Sequence, residues 1–537
     1  MTDGMPNDAD ARLAWLLERL ERPGVLPRAD GNSPDARHVT HVSVVLLAGD
    51  RAWKLRKPVR LAFLDFSTLE ARERDAREEW RLNRRLAPEV YLGVRAVVRK
   101  GDDVAVVDDP SPGDETLDWL VEMRRLPADG MLDRVLSTDA GAARVAPFLE
   151  RFARELAAFH GQEPPVDPAS PFGTLATLER RMTRNLEGLV AETTCGPSPA
   201  LSPAFVAGLV RRVRASFDAI GPTLEARRAA GRVRDGHGDL HARNLCVAGE
   251  RIVAYDCLEF DANLRIGDVA TDVGFLAMDL DVRGHPELAA RVVDAYVDAS
   301  GDQGVRVVER FFRLHYAVIR AFVDGIRLRQ PDTVGEERAR VTESVRRYAA
   351  FAAGYAVEPA LVILMGLPAT GKSTVARRLA EPLRAGIVRS DLVRKELAGI
   401  APTARGAAEI YDAAFTARVY DEVARRAEAT LASGRTAIVD AANLKRAERG
   451  RLLRVAAVAL VPHVVVEVVA DDARIRRHLE ARRVDPSNVS DATRAVYDML
   501  RASAEPPTEI DPARLVTQSS DGDGFAALTA LLAPAPG

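Results

Sequence analysis

The sequence is poor in lysine: only six of its 75 basic residues are lysines, Lys54, Lys57, Lys100, Lys372, Lys395 and Lys445. Arginine stands almost wherever a positive charge will serve; chance survival accounts for most of the six lysines, and the two that fall inside the motifs below are the ones where a compact ammonium is expected in place of a planar guanidinium. Cysteine is scarcer still. Cys195, Cys246 and Cys257 are an odd number without metal-ligand spacing, which argues against a disulfide framework or a zinc site and for a reducing compartment. No apolar run reaches membrane length; the longest, over 455–470, is interrupted by Pro462, His463 and Glu467. The acidic start MTDGMPNDADARLAW lacks an apolar core segment, so no secretory signal is expected. Charge of one sign is missing too. A net charge of −3 over 537 residues supplies no general basic field for nucleic acid or anionic membrane. These absences predict a cytoplasmic soluble protein, free of membranes and long enough for two to four domains.

What is present changes character along the chain. After an N-terminal extension (1–37), apolar alternation and Gly-Asp turns predict two hairpins, 42–47 with 52–55 and 94–99 with 104–107, and a further strand over 117–125. A charged helix is expected over 69–86 between them. This strand-rich part (38–126) gives way to helices over 145–160, 175–191, 204–228, 275–281, 286–299, 305–330 and 336–355, interrupted by a turn-and-strand island at 233–260. Beyond Glu358-Pro359 short apolar strands alternate with helices, the pattern of a parallel sheet wrapped by helices. The reading is an α+β domain with a small strand lobe (38–126) and a helical lobe (127–357), then an α/β domain (358–537) with a parallel sheet and a helical lid.

The most specific motif is Gly366-Leu-Pro-Ala-Thr-Gly371-Lys372-Ser373-Thr374, a full G-x-x-x-x-G-K-[ST] match between an apolar strand and a helix. Its glycines allow backbone N–H groups to turn toward phosphate oxygens. Gly366, Gly371, Lys372, Ser373 and Thr374 are therefore the expected nucleotide ligands, with Lys372 on the β/γ-phosphates and Ser373 on magnesium. Asp391, after the strand ending Val388-Arg389, suits a base for an acceptor hydroxyl, the preferred role, and also suits a helix N-cap with Ser390. Asp440 ends the next strand, where it serves either the magnesium-bound water or a turn. Arginines 474, 476, 477, 482 and 483 crowd one helix; Arg482, or its neighbour Arg483, is the candidate for neutralising phosphoryl charge. With Ser433-Gly434 and Val489-Ser490-Asp491-Ala492, these features resemble P-loop kinases of the polynucleotide kinase, gluconate kinase and zeta toxin group. That resemblance implies a catalytic Asp391 and an Arg394 that contacts the substrate's phosphate.

A second constellation is His237-Gly238-Asp239-Leu240-His241-Ala242-Arg243-Asn244, with Asp256 after the strand 251–255. Asp239 and Asn244 keep the five-residue offset of a kinase catalytic loop, which lets the aspartate face an acceptor hydroxyl while the asparagine and Asp256 take magnesium. Lys54 on a strand offers the ammonium for the α/β-phosphates, Glu79 (with Glu78 a close rival) its helix partner, and a hinge at Glu122–Arg124 a backbone contact for adenine. For His237 and His241 a role in shaping the loop is preferred. These residues resemble the aminoglycoside phosphotransferase family, which shares the protein-kinase fold, over about 38–330; the protein-kinase Gly-rich loop is missing before Lys54. The whole chain resembles a fusion of the two families. The expected function is transfer of the γ-phosphate of ATP, with Mg2+, to the hydroxyl of a small molecule of sugar, aminoglycoside or amino-alcohol type. Two alternatives stand beside it: a polynucleotide 5′-hydroxyl kinase in the second domain, or one domain acting as a nucleotide sensor for the other. The first is not favoured, because residues 358–537 carry 25 Lys/Arg against 23 Asp/Glu and so no basic stripe. Oligomeric state is left open.

Overall fold

The computed structural model describes residues 8–26, 34–61, 64–196, 198–484, 489–522 and 524–533. The chain divides into two compact units, one of 1–178 with 222–312 and one of 179–221 with 313–537. The division passes through the helices Leu175–Thr193, Pro203–Ala229 and Gly304–Leu328. Among the described residues no helix is long and apolar enough to cross a membrane.

The first unit opens with the helix Ala9–Leu20, which buries Trp15, Leu16 and Leu20 against Val44, Leu46, Trp53, Leu55 and Leu120 of a sheet. That sheet has six antiparallel strands in the order Ala36–Val39, Ser43–Ala48, Arg51–Arg56, Thr116–Arg124, Tyr91–Lys100, Asp103–Val107. The helix Leu69–Asn83 starts where Thr68 caps it, its hydroxyl accepting from the Ala71 N–H at 3.2 Å. Its buried face is polar: Arg72, Asp75, Glu79 and Asn83 recur at helical spacing, with Ala76 and Leu82 alongside. Arg72 meets Asp118 of the sheet at 2.9 Å.

In the rest of this unit, the helix Asp139–Gln162 packs on Pro286–Ser300, and that helix packs on Ala270–Val282. The hairpin Leu245–Ala248 with Arg251–Ala254 lies in the island expected from sequence, and Val233–Asp235 at its start pairs antiparallel with Ile266–Asp268 beyond its end. Asp139–Gln162 begins six residues earlier than its apolar pattern predicts. Thr138 caps it through the Gly141 N–H at 3.1 Å, and its first turn is too rich in Ala and Gly to show a period. Ala270–Val282 likewise begins ahead of the expected 275, because it is buried on nearly every side and has no polar face to mark its start.

The second unit contains a five-stranded, all-parallel sheet in the order Gly386–Arg389, Ala437–Asp440, Leu361–Met365, His463–Val469, Leu515–Ser519. Every residue of Leu361–Met365 is buried, as befits a central strand covered on both faces. Leu361, Ile363, Val439 and Val465 pack with Val419, Val423 and Leu452 of the flanking helices. The fold is thus a kinase-like domain followed by a P-loop kinase domain with a parallel sheet.

Candidate functional sites

In the kinase-like domain the chain brings a lysine and two acids from distant stretches to one place. Lys54 Nζ lies 2.7 Å from Glu79 Oε1 and 2.8 Å from Asp256 Oδ1. Glu79 is completely buried, while Glu78 turns away to pair with Arg81 at 2.7 Å. The Lys54 charge holds the Asp256 carboxyl down at about 2, against its burial. Burial alone would lower the Lys54 pKa, but the charges of Asp256 and Glu79 outweigh it and raise it. Asp256 adopts a left-handed φ of 60°, uncommon for a residue with a side chain. It is held there by neighbours: its N–H donates to the Tyr91 hydroxyl at 3.1 Å, and the Cys257 N–H donates to Asn83 Oδ1 at 2.8 Å.

The catalytic-type loop is fixed from beneath by two aspartates of Ala270–Val282. Asp272 accepts the N–H groups of His237 (2.7 Å) and Gly238 (2.9 Å), and Asp279 accepts that of Ala242 (2.8 Å). Asp272 also meets His160 Nε2 at 3.2 Å, and His160 Nδ1 lies 2.8 Å from the Tyr296 hydroxyl. Burial works against both aspartate charges, yet His160 for Asp272 and Arg283 for Asp279 hold these carboxyls below their ordinary range. Buried His237, whose pKa burial lowers, donates from Nε2 to Tyr255 O (3.1 Å) and accepts the Asp239 N–H at Nδ1 (3.3 Å), as a neutral imidazole can. Asn244 Nδ2 donates to Asp239 Oδ2 at 2.8 Å and to Asp239 O at 3.0 Å, which fixes the orientation of the Asp239 carboxylate. The Glu122 side chain is engaged with the protein. Its carboxylate accepts from Arg95 at 2.7 Å and faces Arg51 at 3.3 Å, and its backbone sits between ladder partners Trp53 and Gly93.

In the P-loop domain the glycines are dictated by space as well as by dihedral. Gly371 has φ 99°, and a Cβ there would fall 2.2 Å from Ser520 Cβ; Gly366 has φ 145°, and its Cβ would fall 2.5 Å from Val468 O. Lys372 opens the helix Lys372–Leu383, four residues longer at its far end than the expected 375–379, and folds back to donate to Gly366 O (2.8 Å) and Leu367 O (2.9 Å). Thr374 lies in the same first turn, its N–H bonded to Gly371 O at 3.0 Å. Ser373 Oγ donates to Asp440 Oδ2 at 2.6 Å, which turns Asp440 toward the loop; Arg389 approaches the same oxygen at 3.4 Å. Asp391 is half-buried in the first turn of Ser390–Leu397, whose capping position is Arg389, so its carboxylate is not used as the cap.

Arg394 is buried and engaged with the protein. It donates to Ile410 O and to Thr416 Oγ1 (3.2 Å), and its guanidinium lies 5.0 Å over the Tyr411 ring. Lys395, 2% exposed, pairs with Asp491 at 3.4 Å; Asp491 also accepts from the Tyr411 hydroxyl and from the Gly406 N–H at 3.1 Å. Arg474 is paired with Asp521 and Arg476 with Asp472. The side chains of Arg482 and Arg483 lie outside the described residues.

Lys54, Glu79 and Asp256 are thus brought together, as are Asp239 with Asn244, and Ser373 with Asp440. Asp272, Asp279 and Arg56 were not anticipated. The visible trace of the first two was a run of three aspartates, 272, 279 and 281, in the otherwise apolar ATDVGFLAMDLDV.

Fold and sites define an ATP-dependent kinase made of two kinase-like domains. Residues 73–308 match the phosphotransferase enzyme family, and residues 361–507 match the family described as an AAA domain. The uncharacterized proteins Rv2004c of Mycobacterium tuberculosis and Mb2027c of Mycobacterium bovis are each 33% identical to this chain over 414 residues, 75% of its length and 77% of theirs. The chain belongs to the family of these mycobacterial proteins. Among solved structures, a choline/ethanolamine kinase family protein from Mesorhizobium loti is 15% identical, with 63% of this chain and 97% of that one covered at a TM-score of 0.35. A gluconokinase from Sinorhizobium meliloti is 20% identical, with 32% of this chain and 91% of that one covered at a TM-score of 0.23.

Proposed function

We propose that each domain transfers the γ-phosphate of ATP to a hydroxyl of a small molecule, of sugar, aminoglycoside or amino-alcohol type. The observation that carries this reading is the joining of Lys54 to both Glu79 and Asp256 at 2.7 and 2.8 Å, beside an Asp239 carboxylate oriented by Asn244. In the first domain Lys54 grips the α/β-phosphates and Asp239 takes the acceptor's proton as the acceptor oxygen attacks the γ-phosphorus and ADP leaves. In the second, Lys372 and the loop N–H groups hold the phosphates, and Asp391 receives the acceptor's proton. The oxygen donors Asn244 and Asp256, and Ser373 with Asp440, suit magnesium, a hard cation; Asp256 stays anionic down to about pH 2. When bound, magnesium supplies charge neutralisation on the transferring phosphoryl group.

The acceptor is open to direct test. ADP release by the full chain should be screened across sugars, aminoglycosides, amino alcohols, nucleosides and 5′-hydroxyl oligonucleotides. Release should be stimulated by a small hydroxylated molecule, and Asp239→Asn or Asp391→Asn should abolish the stimulation belonging to its own domain. Stimulation by oligonucleotides alone would replace this reading with the 5′-kinase alternative for the second domain.

A further inference from the structure

The phosphate-gripping lysine has a companion two residues on. Arg56 shares a face of the strand Arg51–Arg56 with Lys54, because side chains at i and i+2 point the same way. Its guanidinium is buried and bonded to three carboxylates at once. It donates to Glu79 Oε2 at 2.8 Å, to Asp75 one turn earlier on the same helix, and to Glu259, three residues past Asp256. Glu79 is therefore divided: one oxygen serves Lys54 and the other serves Arg56.

The arrangement has a consequence for the lysine. Lys54 alone holds its helix by one carboxylate oxygen while it also faces Asp256. When nucleotide phosphates compete for that ammonium, the remaining contact with a single rotatable glutamate could be lost. A guanidinium fork on the second oxygen fixes the carboxylate plane, since it bonds in a set direction as an ammonium does not. Its bonds to Asp75 and Glu259 tie together the strand, the helix Leu69–Asn83 and the chain just beyond Asp256. The cluster of Asp75, Glu79 and Glu259 satisfies the spacing of a cation site, and Arg56 already occupies its centre.

We infer that Arg56 is a positioning residue for phosphoryl transfer in the first domain, holding Glu79 and the segment after Asp256 so that Lys54 stays aligned when ATP arrives. The inference rests on the reading of Lys54, Glu79 and Asp256 given above. Arg56 touches no reacting atom. Its loss should raise the dissociation constant for nucleotide and lower turnover together, whereas a purely structural residue would act only through the folded fraction.

The test uses the full chain carrying Lys372→Ala, so that only the first site reports, titrated calorimetrically with AMP-PNP and magnesium. Arg56→Gln strands three buried acids and is destabilising in its own right. It is therefore paired with Glu259→Gln, which removes one of them, and thermal unfolding confirms that the double variant is folded. The expected result is a folded double variant that binds at least about tenfold more weakly, the loss of one charged hydrogen bond's worth of alignment. Lys54→Met serves as the control. If it loses binding while Arg56→Gln/Glu259→Gln binds as wild type, the inference about Arg56 is wrong and the site reading survives. If Lys54→Met binds normally, the site reading itself fails. Should the double variant not fold, Arg56→Lys keeps the charge without the fork; wild-type affinity and turnover in that variant would overturn the role given to Arg56.

Discussion

The two lysines proposed to grip phosphate sit in different surroundings. Lys54 sits between two carboxylates and beside a buried guanidinium, in a cluster of two cations and four acids. Lys372 lies against two neutral carbonyls of its own loop. Phosphates that reach Lys54 must share an ammonium already committed to two anions, and the surrounding network has to keep its shape meanwhile. One site is prepared by a loop whose glycines take positive φ and the other by buried ion pairs. Substitution should therefore damage them differently.

The largest effect is expected at the acceptor. Asp239→Asn should cut first-domain turnover on the order of 100- to 10,000-fold with nucleotide still bound, since it removes the proton acceptor and none of the phosphate ligands. Near-normal turnover in a Lys372→Ala background would end the assignment. Next in size is Lys54→Ala, which should weaken first-site binding about 10- to 100-fold, the worth of one or two charged hydrogen bonds, and leave the second site unchanged. Equal weakening of both sites by calorimetry would erase the contrast drawn here.

A smaller effect should sharpen the comparison from the other side. Asp491→Asn removes the anion facing a Lys395 that is 2% exposed and loosens Tyr411 with it. The P-loop unit should lose about 1–3 kcal/mol, read as a lowered unfolding midpoint, with first-site nucleotide binding unaltered. An unchanged midpoint would mean that the Asp491 contacts contribute nothing.

The smallest expected effect is in pH. Burial pushes Glu259 up from 4.5 to about 8, so the folded state keeps a proton that the unfolded state gives up. A carboxyl whose folded pKa is raised makes stability fall as pH rises between these two values. Glu259→Gln should flatten that decline in thermal midpoints measured from pH 5 to 8. An identical slope in the variant would refute the assignment. Asp256 has the opposite sign: its stabilisation, present above its ordinary value, is lost only as pH falls through about 2.

The sequence was legible wherever chemistry is written in short, ordered motifs. GLPATGKST and HGDLHARN marked the segments where Ser373 meets Asp440 and Asn244 meets Asp239, and the alternation beyond Glu358 matched five parallel strands. It was less legible where the buried face is polar. The helix Leu69–Asn83 buries Arg72, Asp75, Glu79 and Asn83, so hydrophobic periodicity could not say which glutamate faces inward or that Arg56 waits for it. Asp272 and Asp279 were hidden for a related reason: they act through backbone N–H groups of the loop, and no residue spacing records such bonds. At Glu122 the sequence did not show that the residue is laddered on both sides, to Trp53 and to Gly93.

The account stands on two separate nucleotide sites in one chain. Calorimetric titration of the intact protein with AMP-PNP and magnesium tests this most directly. Two equivalents per chain are predicted for the wild type, and one for Lys372→Ala with its remaining affinity unchanged. A single equivalent in the wild type, or loss of both sites in a folded Lys372→Ala protein, would contradict the account.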